Sequence, residues 1–222
     1  MDEVSQQVEK LPSGTGKSTA GKGHARVWRR VLIVVLVIAM ALGGVALWSL
    51  ISSTNAVNDY IEAVDKQYKE IVAGNNIDQP DVKLNEVMFG EVVNGKYRRA
   101  KELEPTYVGL IEQLRNYTQT MAVHNQLVEK FNTGINGNAS LDGDILELVN
   151  QLDSLVSNKY PDQTEAVTEI HELSQLIAAS TSFDEISSQM NKVLYDNDKW
   201  LATERENIEA ARTEFQQAIN SL

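Results

Sequence analysis

Three histidines, His24, His124 and His171, are the first candidates for metal-binding or acid–base chemistry. Helical zinc and di-iron sites place a second ligand three or four residues away, as in Glu-x-x-His or His-Glu-x-x-His. None of the three histidines has such a neighbour. We therefore predict no metal site and no cofactor, and we interpret the histidines as surface or half-buried structural residues.

Two glycine-containing segments resemble binding loops but lack essential positions. Residues 14–18 (GTGKS) suggest a phosphate-binding loop, which needs a glycine five residues before its Gly-Lys pair, and that position is Leu11. Residues 138–143 (NASLDG) resemble a calcium loop, which needs an acid six residues after its glycine, where Val149 stands. We predict that neither segment binds its ligand.

Nucleophilic catalysis has little support in the sequence. The chain has no cysteine, and the Gly-x-Ser-x-Gly motif of serine hydrolases does not occur. A Ser-His-Asp arrangement stays open, because its members need not be adjacent in sequence. We predict that the protein is not an enzyme, and we assign no catalytic residue.

Charge is divided unevenly along the chain. Residues 1–30 carry a net charge of +3, whereas residues 52–222 carry −14. Nucleic-acid binding needs basic surface that displaces phosphate counterions, so this acidic excess predicts no nucleic-acid partner. It also argues against a second face lying on anionic lipid.

Residues 31–51 form an uncharged apolar segment of 21 residues, 13 of them Val, Leu or Ile. A helix of this length spans about 31 Å, close to the hydrocarbon thickness of a bilayer. Those 13 residues favour insertion by about 4 to 8 kcal/mol. A strand of this length would be unusual. The segment predicts a transmembrane helix, with the lipid bilayer as its partner.

The residues flanking this segment predict its orientation. Arg26, Arg29 and Arg30 precede it, and acidic residues follow it. By the positive-inside rule, residues 1–30 then lie in the cytoplasm and the remainder lies outside it. Trp28 and Trp48 fall near the two interfaces, where indole rings concentrate. A cleaved signal peptide is the alternative, but its apolar core usually has only 7–15 residues, so we favour an uncleaved signal-anchor.

The rest of the chain has helical periodicity and predicts an all-α domain. Apolar residues recur every three or four positions from Val57 to Ile71, and again along later segments. We predict loops at residues 74–80 and 134–140, a weakly helical stretch at 81–103, and Pro105 in the first turn of a longer helix. We also predict a helix over about 141–158, another opened by Pro161, and a last helix started by a capping box at 182–185.

These elements together predict an antiparallel bundle of helices with short connections. The domain organisation is then a disordered basic cytoplasmic tail (1–30), a transmembrane helix (31–51) and an extracytoplasmic bundle (52–222). The stripe of the last helix is expected to consist of these residues: Phe183, Ile186, Met190, Val193, Trp200, Ile208, Ala211, Phe215 and Leu222.

Three segments carry a resemblance to a known family. Residues 208–215 (IEAARTEF), followed by Ala218 and Ile219, resemble the last helix of the LemA family of bacterial membrane-anchored proteins. Residues 160–162 (YPD) are similar to that family's Tyr-Pro-Asp turn, and Arg98-Arg99 before Pro105 is similar to its Arg-Arg segment. The sequence departs from the family at Gln216, where an asparagine is expected, and by about 20 extra residues around 181–200. The resemblance implies a helical bundle on a single amino-terminal span, without established catalytic residues.

Two functions follow as hypotheses. The first is a LemA-like, non-catalytic envelope protein whose bundle serves as an interaction or scaffold module for other membrane or envelope proteins. The alternative is a small-molecule-sensing extracytoplasmic bundle. Since a tail of 30 residues has no room for an output domain, such a sensor would signal through a separate membrane partner.

Overall fold

The computed structural model describes residues 21–75, 77–137, 143–179 and 182–222. Within these ranges the chain is all-helical and contains no strand. Six helices follow one another, and contacts divide the chain into two units, Met1–Trp48 and Ser49–Leu222. The helices are α1 (Gly21–Val72), α2 (Gly90–Val93), α3 (Gly95–Gly137), α4 (Gly143–Lys159), α5 (Thr164–Ala178) and α6 (Phe183–Asn220).

The amino-terminal part of α1 is apolar and long enough to cross a membrane, and it is the one helix of that kind in the described ranges. Large apolar side chains are exposed all along it, from Trp28 to Ile51. α1 begins at Gly21, so residues 21–30 of the predicted disordered tail are helical, while residues 1–20 lie outside the described residues. Good helix formers such as Lys22, Ala25 and Arg26 extend a helix that the apolar segment has already nucleated.

The second unit contains two hydrophobic clusters that share α3 and α6. The first cluster joins the later part of α1 to the first half of α3 and the last third of α6, with residues such as Tyr60, Tyr107 and Phe215. The second cluster joins the rest of α3 and the start of α6 to α4 and α5, with residues such as Leu127 and Met190. The helices therefore pack in a bundle-like arrangement around two adjoining cores.

Several predicted boundaries are confirmed. α1 ends at Val72, and Gly74 follows it with a φ of 75°, a left-handed conformation that glycine adopts without strain. Ser182 caps α6 by accepting a hydrogen bond from the Glu185 amide at 3.3 Å, as the capping box predicts.

Other predicted boundaries are wrong. Pro105 lies inside α3 instead of in its first turn, because the Asn94 side chain caps the helix eleven residues earlier. α3 also continues to Gly137, through the first half of the loop predicted at 134–140. Pro161 lies in a turn, and α5 begins only at Thr164. Residues 81–87 are not helical.

The connection between α1 and α3 is held against both helices by side chains. The Gln67 amide donates to the Pro80 carbonyl at 2.9 Å and accepts from the Val82 amide at 3.2 Å. Arg115 binds the Asp81 carboxylate at 2.7 Å. Polar anchors of this kind replace the backbone hydrogen bonds that an irregular segment lacks.

Candidate functional site

A groove of about 660 Å³ opens where α1, α3 and α6 meet. Leu114 and Ile208, both buried, contribute apolar surface to it, and polar and aromatic side chains surround them. This volume lies within the range of small-molecule sites, which combine an apolar lining with a few polar groups. The aromatic and charged side chains of the lining are Tyr68, Tyr117, Arg205, Glu209 and Arg212.

Arg212 is fixed on one side of the groove by two contacts with α1. Its guanidinium carbon lies 4.1 Å from the centroid of the Tyr68 ring, a cation–π contact. One guanidinium nitrogen lies 3.8 Å from an Asp65 carboxylate oxygen. Burial raises the pKa of the Tyr68 hydroxyl, and the nearby Arg212 charge opposes part of that increase. The ring is therefore a neutral platform for a permanent cation at neutral pH.

Arg205 and Tyr117 form the next part of the lining. The Arg205 guanidinium donates to the Glu209 carboxylate at 3.0 Å, one helical turn away on α6. Burial raises the pKa of Tyr117, while the Arg205 charge opposes that increase. The groove thus presents two arginines and two protonated tyrosines, together with the Glu209 carboxylate, and these groups can bind an anionic or aromatic group.

A layer of buried polar side chains lies beside the groove, between the two hydrophobic clusters. Thr120 and His124 contribute from α3, and Asn197 contributes from α6; each is at most 1% exposed. The His124 Nε2 atom lies 2.8 Å from an Asp198 carboxylate oxygen. We call these residues, together with Tyr160, the polar layer.

Tyr160, in the turn after α4, links the polar layer to α6. Its ring centroid lies 5.0 Å from that of Trp200, whose indole nitrogen donates to the Asn197 side chain at 2.8 Å. Burial, followed by the Glu204 charge, raises the pKa of Tyr160. His124 Nδ1 and the Asn197 side-chain nitrogen are buried without a protein partner among the described residues.

His124 and His171 lie in different surroundings, and the side chain of His24 lies outside the described residues. His171 is exposed and lies 3.2 Å from an Asp153 carboxylate oxygen, so it is a surface residue as predicted. The prediction of a surface or half-buried position is wrong for His124, because α3 turns this residue into the bundle between two cores. Within the described residues, no three His, Asp or Glu side chains converge as a metal site requires.

The predicted membrane-flanking residues all fall on α1. Trp28, Arg29, Arg30 and Trp48 are exposed, and Arg26 lies in the first turns of the helix. Two segments that resemble binding loops, and that we predict not to bind their ligands, fall mostly outside the described residues. Of the calcium-loop-like segment 138–143 only Gly143 is described, and none of the phosphate-loop-like segment 14–18 is described.

Sequence reasoning missed the polar layer and the groove arginines. Thr120, His124 and Asn197 occupy stripe positions three or four residues from apolar neighbours, but their polarity hid them from a search for hydrophobic periodicity. The signal that could have found them is a polar residue at the position where a helical stripe requires an apolar one.

The chain matches no protein-family model, and no curated protein or solved structure is significantly similar to it. Function is therefore argued from the geometry of the groove, the polar layer and the apolar helix.

Proposed function

We propose that the protein is a single-pass membrane protein whose folded domain is a non-catalytic interaction module. Residues 1–30 are cytoplasmic, residues 31–51 span the bilayer as an uncleaved signal-anchor, and residues 52–222 form an extracytoplasmic antiparallel bundle. The bundle binds another envelope or membrane protein through the groove. The resemblance to the LemA family stays a prediction that fits this proposal.

Exposure of the apolar helix supports the anchor. No residue of the most apolar 18-residue stretch of α1 is buried within the protein. A core helix of a soluble protein would bury most of such a stretch. Leu36, Val37 and Ile38 are each more than half exposed. Apolar surface of this extent is unfavourable in water and favourable in lipid.

The distribution of the two clusters supports the antiparallel arrangement. The first half of α3 packs with the end of α6, since the Tyr107 and Phe215 rings lie 5.5 Å apart. Further along α3, His124 contacts Asp198, which lies earlier in α6. Later positions on α3 therefore contact earlier positions on α6, which supports an antiparallel arrangement of these two helices.

The groove is the observation that carries the interaction function. It gathers arginine and tyrosine, the residue types that contribute most to protein interfaces, on three helices. The charged groups that line it are engaged in cation–π and ion-pair contacts, which suit recognition and leave no free general base. His124 pairs with an exposed carboxylate, Asp198, but the His124 side chain is itself 1% exposed and lies out of a substrate's reach.

Site-specific crosslinking tests this proposal, because the chain has no cysteine of its own. Thr213→Cys places a photoreactive label in the groove, and Glu206→Cys places the same label on an exposed position of α6 outside it. We expect a discrete adduct in native membranes from position 213, none from 206, and loss of the adduct on Arg212→Ala. Equal labelling from both positions would contradict a groove-directed interaction.

Topology is tested with the same chemistry. Tyr195→Cys is 71% exposed on α6 and should react with an impermeant maleimide in spheroplasts, whereas Ser13→Cys should react only after lysis. The opposite pattern would reverse the orientation given by the positive-inside rule.

The volume of the groove specifically favours a second candidate, the small-molecule sensor. About 660 Å³ accommodates a ligand of ordinary metabolite size, and two arginines would select an anionic one. Thermal unfolding of the purified protein against small carboxylates and phosphates discriminates the two candidates. A ligand-dependent rise in Tm that Arg212→Ala abolishes, with no adduct from position 213, would favour sensing.

A further inference from the structure

Three large apolar side chains are exposed within five consecutive positions shortly before α3, two in the turn that precedes α2 and one in α2 itself. Met88 is 67% exposed, Phe89 is 56% exposed and Val92 is 83% exposed. We call these three residues the apolar finger. Other exposed large apolar residues of the second unit, such as Tyr195, are far from it in sequence. Contiguous apolar residues on a surface usually mark a binding or membrane-contact site.

The loop that carries the apolar finger is firmly built. The Tyr97 hydroxyl donates to the Asn85 carbonyl at 2.8 Å and accepts from the Val87 amide at 3.1 Å. Gly90 packs so closely on the Tyr97 ring that a Cβ there would lie 2.9 Å from it. At the base, Lys101 forms an ion pair with Glu91 at 2.9 Å. The apolar side chains are therefore held outward by a structured support.

Phe89 has a backbone conformation that its side chain disfavours. Its φ is 60° and its ψ is 8°, and it is the non-glycine residue with positive φ among the described residues. Glycine or asparagine would adopt this conformation with less strain. An exposed phenylalanine contributes little to the core, so the fold alone gives no reason for this residue.

Hydrogen bonds place the apolar finger beside the end of the apolar segment. The Ser49 hydroxyl donates to the Met88 carbonyl, and Ser49 lies within the predicted span 31–51. The Asn94 side chain donates to the hydroxyls of Ser53 and Thr54, at 3.0 and 3.2 Å. Ile51, on the same turn of α1, is 55% exposed. The finger and the last turn of the span thus belong to one structural unit.

Basic residues follow the finger directly. Lys96, Arg98 and Arg99 are exposed on the first two turns of α3, within a domain whose net charge is strongly negative. Cationic and apolar side chains side by side are typical of segments that bind the interface of an anionic membrane. The overall charge predicts no such contact, and this local cluster is the exception.

We propose that the apolar finger inserts into the interfacial layer of the bilayer that holds α1, with Lys96, Arg98 and Arg99 contacting lipid phosphates. This inference rests on the proposed membrane anchor. The finger then provides a second attachment that fixes how the folded domain stands on the membrane surface, and apolar insertion offsets the exposure of its three side chains to water.

Single-cysteine variants of the full chain, carrying an environment-sensitive fluorophore, test the insertion. Phe89→Cys and Val92→Cys report on the finger in vesicles of equimolar phosphatidylcholine and phosphatidylglycerol. Val37→Cys is the control for the span, and Tyr195→Cys is the control for an aqueous site. We expect blue-shifted emission and quenching by spin-labelled lipid at 37, 89 and 92, severalfold greater than at 195.

The fluorescence measurements distinguish failure of the finger proposal from failure of the anchor proposal. Lipid quenching at 37 with water-like emission at 89 and 92 would overturn the finger and leave the anchor intact. Water-like emission at 37 as well would overturn the anchor and the finger together.

The basic cluster is tested by charge reversal. With Lys96→Glu, Arg98→Glu and Arg99→Glu combined, quenching at 92 should fall towards the value found in vesicles of phosphatidylcholine alone. Equal quenching with and without the three reversals would overturn the phosphate contacts. A Phe89→Gly variant labelled at 92 separates insertion from folding, because it relieves backbone strain and should keep the Tm while quenching decreases.

Discussion

Tyr60 and Tyr107 offer a matched pair of hydroxyl deletions with different expected outcomes. Their rings meet edge to face in the first cluster, with centroids 6.1 Å apart, and both are almost fully buried. The Tyr107 hydroxyl donates to the Gln67 side-chain oxygen at 2.6 Å. The Tyr60 hydroxyl is buried without a protein hydrogen-bond partner among the described residues. Each tyrosine is changed to phenylalanine, which keeps the ring and removes one oxygen.

The expected change in the free energy of unfolding differs between the two variants, because one hydroxyl is hydrogen-bonded and the other is not. Tyr107→Phe removes a buried hydrogen bond and should lower the free energy of unfolding by about 1 to 2 kcal/mol, since Gln67 keeps its bond from the Val82 amide. Tyr60→Phe removes a desolvated hydroxyl and should leave stability unchanged or raise it by up to about 1 kcal/mol. In a domain of this size, about 1 kcal/mol shifts Tm by about 2 to 4 °C.

Thermal unfolding of the full chain in mild detergent, followed by near-ultraviolet circular dichroism, measures the difference. We expect the two variants to separate by about 2 to 12 °C, with Tyr107→Phe the less stable. Equal losses of Tm would refute the reasoning, because they would mean that the Tyr60 hydroxyl has a stabilising partner equivalent to Gln67.

Three further predictions concern stability. Burial raises the pKa values of Tyr60, Tyr107 and Tyr160, so the folded state binds their protons more tightly than the unfolded state. Their contribution is complete below the usual tyrosine pKa of about 10 and is lost as pH rises towards the folded values. Tm should therefore fall steeply above about pH 10, and a flat profile there would contradict the burial of these residues. Asn94→Ala should lower the free energy of unfolding by about 1 to 2 kcal/mol, because α3 loses its amino-terminal cap. The control is Asn207→Ala on the exposed face of α6, for which chemical denaturation should show no comparable loss. Gly90→Ala should lower the free energy of unfolding by about 1 to 3 kcal/mol, because the added Cβ is forced against the Tyr97 ring. Nothing lies within 4 Å of a Cβ added at Gly109, so Gly109→Ala should stabilise α3 by about 0.5 to 1 kcal/mol. The reverse order of the two Tm values would refute the packing at Gly90.

Helical periodicity was sufficient to predict the all-helical class and most of the elements. The stripe from Val57 to Ile71 is half-buried or buried throughout, and Ser182 begins α6 as its capping pattern indicates. Boundaries that depend on tertiary contacts were not accessible in this way. Asn94 starts α3 because its side chain caps the helix and also bonds to α1, and a cap with a distant partner has no local signature. Because α3 starts at this cap and continues to Gly137, Pro105 falls in the interior of the helix, a position that proline usually avoids.

The groove was beyond sequence reasoning for a different reason. Tyr68, Tyr117 and Arg212 lie on three helices, and only their packing brings them together. Arg212 was recognised as part of a family-like helix, but nothing local indicates that its guanidinium lies over an aromatic ring of α1. Isolated arginines on amphipathic helices are usually solvent-exposed, so composition alone gave them no role.

Long helices with apolar residues every three or four positions can slide past one another by a heptad and still bury a comparable surface. The polar layer removes that freedom between α3 and α6. A slip of seven residues would separate the buried His124 imidazole on α3 from Asp198 on α6 and break the hydrogen bond between them. The His124–Asp198 contact therefore fixes the register of α3 against α6, and an apolar replacement at His124 should yield a chain that populates more than one alignment of these two helices.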